Sequence, residues 1–205
     1  FGRTNRNASI QNVGVIHSYI KGKKFVGSVC AYNYGTITNC YNTGAVTGTG
    51  FSVGGVCGEN HGTITNCYNT GDVSGTDYVG GVCGYNLGGT ISNCLTNCYS
   101  TGTVTGSGNV GGVCGRNNAG TITNCYYRKD TETYFGIGEI EADTAGETIA
   151  KTTEVFASGE VAYLLQQGQE KPSVQVWGQE IGKDVSPVLN GVTVYNHGTT
   201  YTNFV

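Results

Sequence analysis

Apolar positions in the first two thirds of this chain recur in short runs, never at helical spacing over a useful length. Val53-Gly-Gly-Val-Cys57 returns as Val79-Gly-Gly-Val-Cys83 and Val110-Gly-Gly-Val-Cys114, after an imperfect copy at Val26-Gly-Ser-Val-Cys30. A second run, Thr36-Ile-Thr-Asn-Cys40, returns at 63–67, 90–94 and 121–125. Both runs are β-branched and too short for helices, and turn-forming residues such as Glu59-Asn-His-Gly62 and Asn69-Thr-Gly71 bound them. A third β-prone run centres on Asp72-Val-Ser-Gly75. Each unit therefore predicts three short strands separated by turns.

Cys40 and Cys67 lie 27 residues apart, as do Cys67 and Cys94, and Cys98 and Cys125. Three strands in 27 residues make one triangular coil, too small to close its own core. Coils must stack, each pairing in parallel with the next about 4.8 Å away, and the crossover rule favours a right-handed path. The expected fold is all-β: a right-handed parallel β-helix, or β-solenoid, of about five 27-residue coils. One period before Ile37 and Cys40 stand Ile10 and Val13, a divergent first unit with Val in the Cys place. The third copy carries a four-residue duplication, Leu95-Thr-Asn-Cys98, and one coil should bulge there.

The repeat stops at residue 127, so the expected division is a solenoid at 1–127 and a C-terminal module at 128–205. In the latter, Thr152 or Thr153 reads as the N-cap of a short helix. Ser158 reads as the cap of a second helix from Gly159 to Gln167, ended by Gly168, with Val161, Leu164 and Leu165 on one face. Val174–Trp177 and Gly191–Tyr195 read as short strands. A small mixed α/β cap over residues 150–195 would protect the open edge of the last coil.

Composition supports this picture. Gly is 35 of 205 residues, Pro 2, Met absent, and charged residues 12%, about half the usual share. The net charge of −3 supplies no field that would attract nucleic acid or acidic lipid. Charge is nevertheless zoned: residues 1–30 hold five bases and no acid, 31–125 only Glu59, Asp72, Asp77 and Arg116, and 126–205 eleven acids against five bases. No apolar run approaches the roughly 20 residues of a membrane span, and no signal-peptide pattern is present. The first residue is Phe1 rather than Met, which reads as a processed or excised segment.

Candidate chemistry follows from the repeats. Cys30, Cys57, Cys83 and Cys114 should form one column, and Cys40, Cys67, Cys94 or Cys98, and Cys125 a second. The Val at position 13 and the odd count of nine point to buried free thiols; inter-coil disulfides are the competing reading, and a metal site is disfavoured because convergent spacing is missing. Asn39, Asn66, Asn93 and Asn124 recur in register and read as a structural amide ladder. Tyr41, Tyr68, Tyr99 and Tyr126 each follow a Cys; if the Cys points inward, period-2 alternation turns the Tyr outward as an aromatic stripe for sugar rings. A self-stacked ladder is the alternative, because Ile37 and Cys40 cannot both face inward without a bend. Gly50-Phe-Ser-Val-Gly54 matches the nucleophile-elbow pattern, but a strand rather than a helix follows Ser52. The scattered carboxylates and His17, His61 and His197 form no catalytic set, and the histidines read as solvent-facing. No catalytic residue, metal or cofactor is expected.

The unit Val-Gly-Gly-x-x-Gly-x-Asn, followed by Gly-Thr-Ile-x-Asn-Cys-Tyr-x-Thr-Gly-x-Val-x-Gly, resembles the GLUG repeats of large bacterial surface and secreted proteins over residues 8–127. It departs from them at Gly55-Val-Cys-Gly58. Phe156–Leu165, Val176–Gln179 and Pro187–Leu189 are similar to a module that follows such repeats in gut-dwelling Gram-positive bacteria. The resemblance implies an extracellular or cell-surface address and an adhesive or glycan-related role. The function expected is a non-catalytic binding module for a host glycan or extracellular protein, monomeric as a fragment, without nucleic-acid binding or membrane insertion. A passive stalk is the runner-up and a polysaccharide- or peptide-cleaving fragment stands behind it.

Overall fold

The computed structural model describes residues 1–88, 94–130, 134–141 and 146–204. They divide into two compact units, Phe1–Tyr127 with Glu132–Ile149, and Arg128–Thr131 with Ala150–Val205.

The first unit is a parallel β-solenoid. One sheet stacks Ser9–Gln11, Thr36–Thr38, Thr63–Thr65, Cys94–Thr96 and the start of Thr121–Arg128; past a corner it continues as Gly14–Val15, Tyr41–Asn42, Tyr68–Asn69 and Tyr99–Ser100. The second stacks Tyr19–Gly22, Ala45–Gly48, Val73–Ser74 and Val104–Thr105. The third carries the Val-Gly-Gly-Val-Cys runs, from Val26–Gly27 and Cys30–Asn33 to Val110–Asn118. Pairing within these stacks is parallel and in repeat register, as in Ile10 with Ile37 and Ile37 with Ile64.

Each corner has a physical cause. Ile37 and Cys40 are both fully buried although three residues apart. Asn39 between them sits at φ 54, and Asn12, Asn66, Asn97 and Asn124 take the same left-handed turn at φ 58, 54, 52 and 49. Asn tolerates this region better than most side chains, so the turn swings the strand inward again. At Val-Gly-Gly the two glycines answer different neighbours. A Cβ on Gly54 would stand 2.1 Å from the Cys57 carbonyl oxygen, and one on Gly55 2.4 Å from the Asn69 side chain.

Two apolar clusters fill the tube. Ile37, Ile64, Leu95 and Ile122 meet Val29, Val56, Val82, Val113 and the cysteines in one, while Val46, Val73 and Val104 meet Val26, Val53 and Val79 in the other. Burying each such side chain contributes roughly 1.5–3 kcal/mol, and stacking repeats the gain at every coil.

The duplication is resolved against the first copy. Cys94 pairs with Thr63 and Thr121, Leu95 with Ile64, and Thr96 with Thr65. Cys98, fully buried, therefore completes the second thiol column, and Asn97 completes the Asn corner. Cys94 does not belong to that column, and Asn93 lies outside the described residues. The cause is register: Tyr99 pairs with Tyr68, which fixes the second copy in the ladder.

The solenoid also runs past residue 127. Phe135–Glu141 pairs in parallel with Val110–Asn118, and Gly146–Lys151 also pairs with Thr121–Arg128. The first unit thus breaks at Tyr127, where the repeat stops, but also takes in Glu132–Ile149, because strand pairing outlasts the sequence repeat.

In the second unit, Thr152 caps α1 (Thr153–Ala157). Asp130 accepts from the Thr153 N–H and hydroxyl at 2.8 and 2.6 Å, which holds its carboxyl below the usual range. Helix α2 (Glu160–Gln167) has Gly159 at φ 91 in its N-cap position, with the Ser158 hydroxyl accepting from the Glu160 N–H at 3.3 Å, and buries Val161, Ala162 and Leu165. Its strands are Trp177–Gly178 against Val188–Leu189 and Tyr195–Asn196 against Tyr201–Thr202. They meet the two runs read from sequence only at Trp177 and Tyr195. Among the described residues no helix is long and apolar enough to cross a membrane.

Candidate functional site

The repeated side chains of the solenoid are engaged with their own copies. Asn33, Asn60, Asn86 and Asn117, all fully buried, form an amide ladder in which each Nδ2 donates to the next Oδ1 at 2.8 Å. Asn60 also holds its own turn through the Gly62 carbonyl and N–H, at 3.0 and 3.2 Å. A second ladder runs from Asn42 to Asn69 at 2.7 Å. The Asn corner expected from sequence is present, with Asn39 donating to Asn12 at 3.3 Å and Asn124 to Asn97 at 2.6 Å. The two buried ladders were missed in the sequence; their signal was an Asn two residues before Gly at Asn33, Asn60, Asn42 and Asn69.

The thiols explain why Cys rather than Val fills most corner slots. The eight thiols of the two columns are buried and free, and each donates to a carbonyl two residues away, as Cys57 to Glu59 at 3.3 Å and Cys67 to Thr65 at 3.3 Å. Burial pushes the Cys30 thiol up to about 11 and raises Cys83 and Cys98 as well. Such groups stay protonated at neutral pH and are poor nucleophiles.

The tyrosine stripe alternates along its strand with the buried Cys40 and Asn42, and its faces are not open. Tyr41 and Tyr68 stack at 4.9 Å and 4°, Tyr68 and Tyr99 at 5.1 Å and 2°. Gly14 lies against the Tyr41 ring, where an added Cβ would come within 2.3 Å of Cζ. Tyr99 is 0% exposed and Tyr126 2%, and the Tyr126 hydroxyl donates to Asn124 at 2.6 Å. The phase left open in the sequence thus settles as a self-stacked ladder.

Another aromatic set lies on the third sheet. Seven rings touch in sequence: Tyr34 with His61 at 4.5 Å, His61 with Tyr32 at 6.4 Å, Tyr32 with Phe25 at 4.4 Å, Phe25 with Phe51 at 5.0 Å, Phe51 with Tyr78 at 6.5 Å and Tyr78 with Tyr85 at 5.5 Å. All are half-buried. Cations lie over them: Arg3 over Tyr34 at 4.7 Å, Lys24 over Phe51 at 4.5 Å, and Arg116 over Tyr78 and Tyr85 at 5.0 and 5.2 Å. One column of the sheet reads Arg3, Tyr32, Glu59, Tyr85, Arg116, Glu139 through successive coils. Glu59 and Tyr34 raise the Tyr32 phenol beyond what desolvation alone does, and Arg3 opposes them. A cleft of about 380 Å³ opens beside Gly50, Phe51, Thr76, Asp77 and Tyr78.

Sequence reasoning passed over this strip because it sought positions that repeat. Residue two after Cys in Cys-x-x-Asn changes from Tyr32 to Glu59, Tyr85 and Arg116 while its neighbours stay fixed. Variation within a regular unit was the available signal.

Ser52 sits in a strand at φ 59, the place Tyr78 holds in the next coil at φ 51, and its fully buried side chain is not the exposed nucleophile of an elbow. His61 is not a solvent-facing turn residue: Glu59 holds it at 2.6 Å and its side chain is 19% exposed. His17 lies exposed at φ 47, and His197 belongs to the second unit, near the Thr202 hydroxyl at 3.1 Å. Among the described residues no group of three His, Cys, Asp or Glu is placed to hold a metal.

Stacked parallel coils, internal side-chain ladders and a half-exposed aromatic face define a repeat solenoid. Within it, residues 49–74 match the Glug family, the GLUG motif, and the neighbouring units share their register with that stretch. The fold is similar to the crystal structure of a Bacteroides ovatus protein named "putative immunoglobulin A1 protease", with a TM-score of 0.64 and 20% identity over 92% of this chain and 70% of that one. At that identity the likeness is one of fold alone. No curated protein sequence matches the chain.

Proposed function

We propose that this chain is a non-catalytic adhesion module of a secreted or surface-displayed bacterial protein, and that it engages an extended glycan along the third sheet of the solenoid. One observation carries the reading: seven contiguous half-exposed rings run across successive coils on one face. Aromatic faces and edges suit sugar rings, and a ligand that follows the coils meets several weak contacts at once, so avidity accumulates. The GLUG motif supports the extracellular address. Catalysis finds less support, since the protease in the similar fold is a statement about that protein.

The passive stalk stays as a second reading, favoured by the Asn, Cys and Tyr ladders, which spend their repeated side chains on one another. A glycan and matrix-protein array probed with the whole chain separates the two. Hits abolished by Phe51→Ala with Tyr78→Ala, and untouched by Tyr68→Phe, support adhesion through this face; an array without hits returns the protein to the stalk.

A further inference from the structure

The strip ends on a built cationic site. His61 stacks on Tyr34 at 4.5 Å and 9°, and the Arg3 guanidinium lies 4.7 Å from the same ring centre. Two groups that close to one centroid cannot share a face, so Arg3 covers the face opposite His61. Glu59, 9% exposed, anchors His61 at 2.6 Å. The order from coil to coil is therefore Glu59 with His61, then Tyr34, then Arg3. A guanidinium over a ring face keeps N–H groups for a carboxylate or sulfate, which it can meet with two parallel hydrogen bonds.

Space and charge agree with that geometry. A cleft of about 470 Å³ is bounded by Arg3, Thr4, Asn5, Arg6 and Tyr34. Arg3, Arg6 and Lys24 are exposed, and the first 30 residues hold five bases and no acid. Along the same strip, Lys24 lies over Phe51. Cation and ring thus alternate, first Arg3 with Tyr34 and then Lys24 with Phe51.

From this we infer that the ligand is an acidic glycan, a saccharide chain carrying carboxylate or sulfate groups at intervals. One acidic group pairs with Arg3 and Arg6 in the cleft, another with Lys24, and the intervening sugar rings lie on the aromatic side chains. Glu59 and Glu139 in the same column disfavour a polymer charged at every residue, such as a single-stranded nucleic acid. The inference rests on the glycan-binding reading above and narrows it to one ligand chemistry.

The test is calorimetric titration of the whole chain with four probes of matched length: a chondroitin sulfate oligosaccharide, a hyaluronan oligosaccharide, a neutral chito-oligosaccharide and a single-stranded DNA. Acidic saccharides should bind, and should lose about tenfold or more in affinity when salt rises from about 50 mM to about 500 mM. Arg3→Ala with Arg6→Ala should cost about tenfold, and Arg3→Lys should recover only part, since an ammonium cannot make the paired contact. If the neutral probe binds as well as the acidic ones and the Arg variants leave affinity unchanged, the acidic assignment falls while the glycan reading stands. DNA binding tighter than either acidic saccharide overturns the assignment too. If neither kind of saccharide binds, both readings fall together. Unchanged far-UV spectra of the variants, whose side chains are exposed, keep the affinities interpretable.

Discussion

The solenoid carries two rows of aromatic side chains that differ in what they touch. Tyr41, Tyr68 and Tyr99 are identical in every coil, and their rings close on one another within 4° of parallel. Phe25, Tyr32, Phe51, Tyr78 and Tyr85 come from unequal positions and meet at tilts from 36° to 90°, with cations laid on some of them. Identical side chains one coil apart satisfy each other, so a repeated residue tends to vanish into structure. Where the residue varies, unlike neighbours meet at a tilt and their rings stay half-buried. In a repeat protein, then, regularity marks the scaffold and irregularity marks the surface that can have a ligand.

This contrast is easiest to break at the scaffold. Tyr99→Ala removes a fully buried ring from the middle of a stack and should cost about 4 kcal/mol, read as a lower denaturant midpoint. A loss of under about 1 kcal/mol would mean the ladder is no part of the scaffold. Asn60→Ala comes next: it removes the acceptor that the Asn33 Nδ2 and Gly62 N–H now reach at Asn60 Oδ1, for about 3 kcal/mol. Cutting the chain after Tyr127 removes the strand paired to Val110–Asn118, so that chain should oligomerise where one cut after Ile149 does not; light scattering decides it.

Smaller effects sharpen the picture. The Cys30 thiol is raised from 9.0 to about 11, so the unfolded chain holds fewer protons between those values than the folded one. Stability is therefore complete below about pH 9 and falls as pH rises toward about 11. Urea midpoints across that window should decline, and replacing the buried cysteines with Val should flatten the curve. Cys40→Val at neutral pH should cost less than about 1 kcal/mol, since the first coil already carries Val13 in that place. Last, Phe51→Ala and Tyr78→Ala should change stability by less than about 1 kcal/mol, because both rings are half-buried, while abolishing any glycan binding.

Sequence alone determined the period, the parallel stacking, the two thiol columns and the short-strand content. These follow from spacing and side-chain type, because a unit of 27 residues has no other way to bury Ile37, Val56 and Cys57. Tertiary structure alone decided three matters. Which copy of a duplicated run joins the ladder, Cys98 over Cys94, depends on register with Tyr68 and Thr63 in the coil below. Whether outward tyrosines are open or closed depends on rings in adjacent coils and on Gly14 beneath them. The joining of Phe25, Tyr32, Tyr34, Phe51, His61, Tyr78 and Tyr85 into one strip depends on left-handed corners at Phe25 and Tyr78. A corner redirects every side chain after it, so contacts across coils are set by backbone geometry that no single unit of sequence contains.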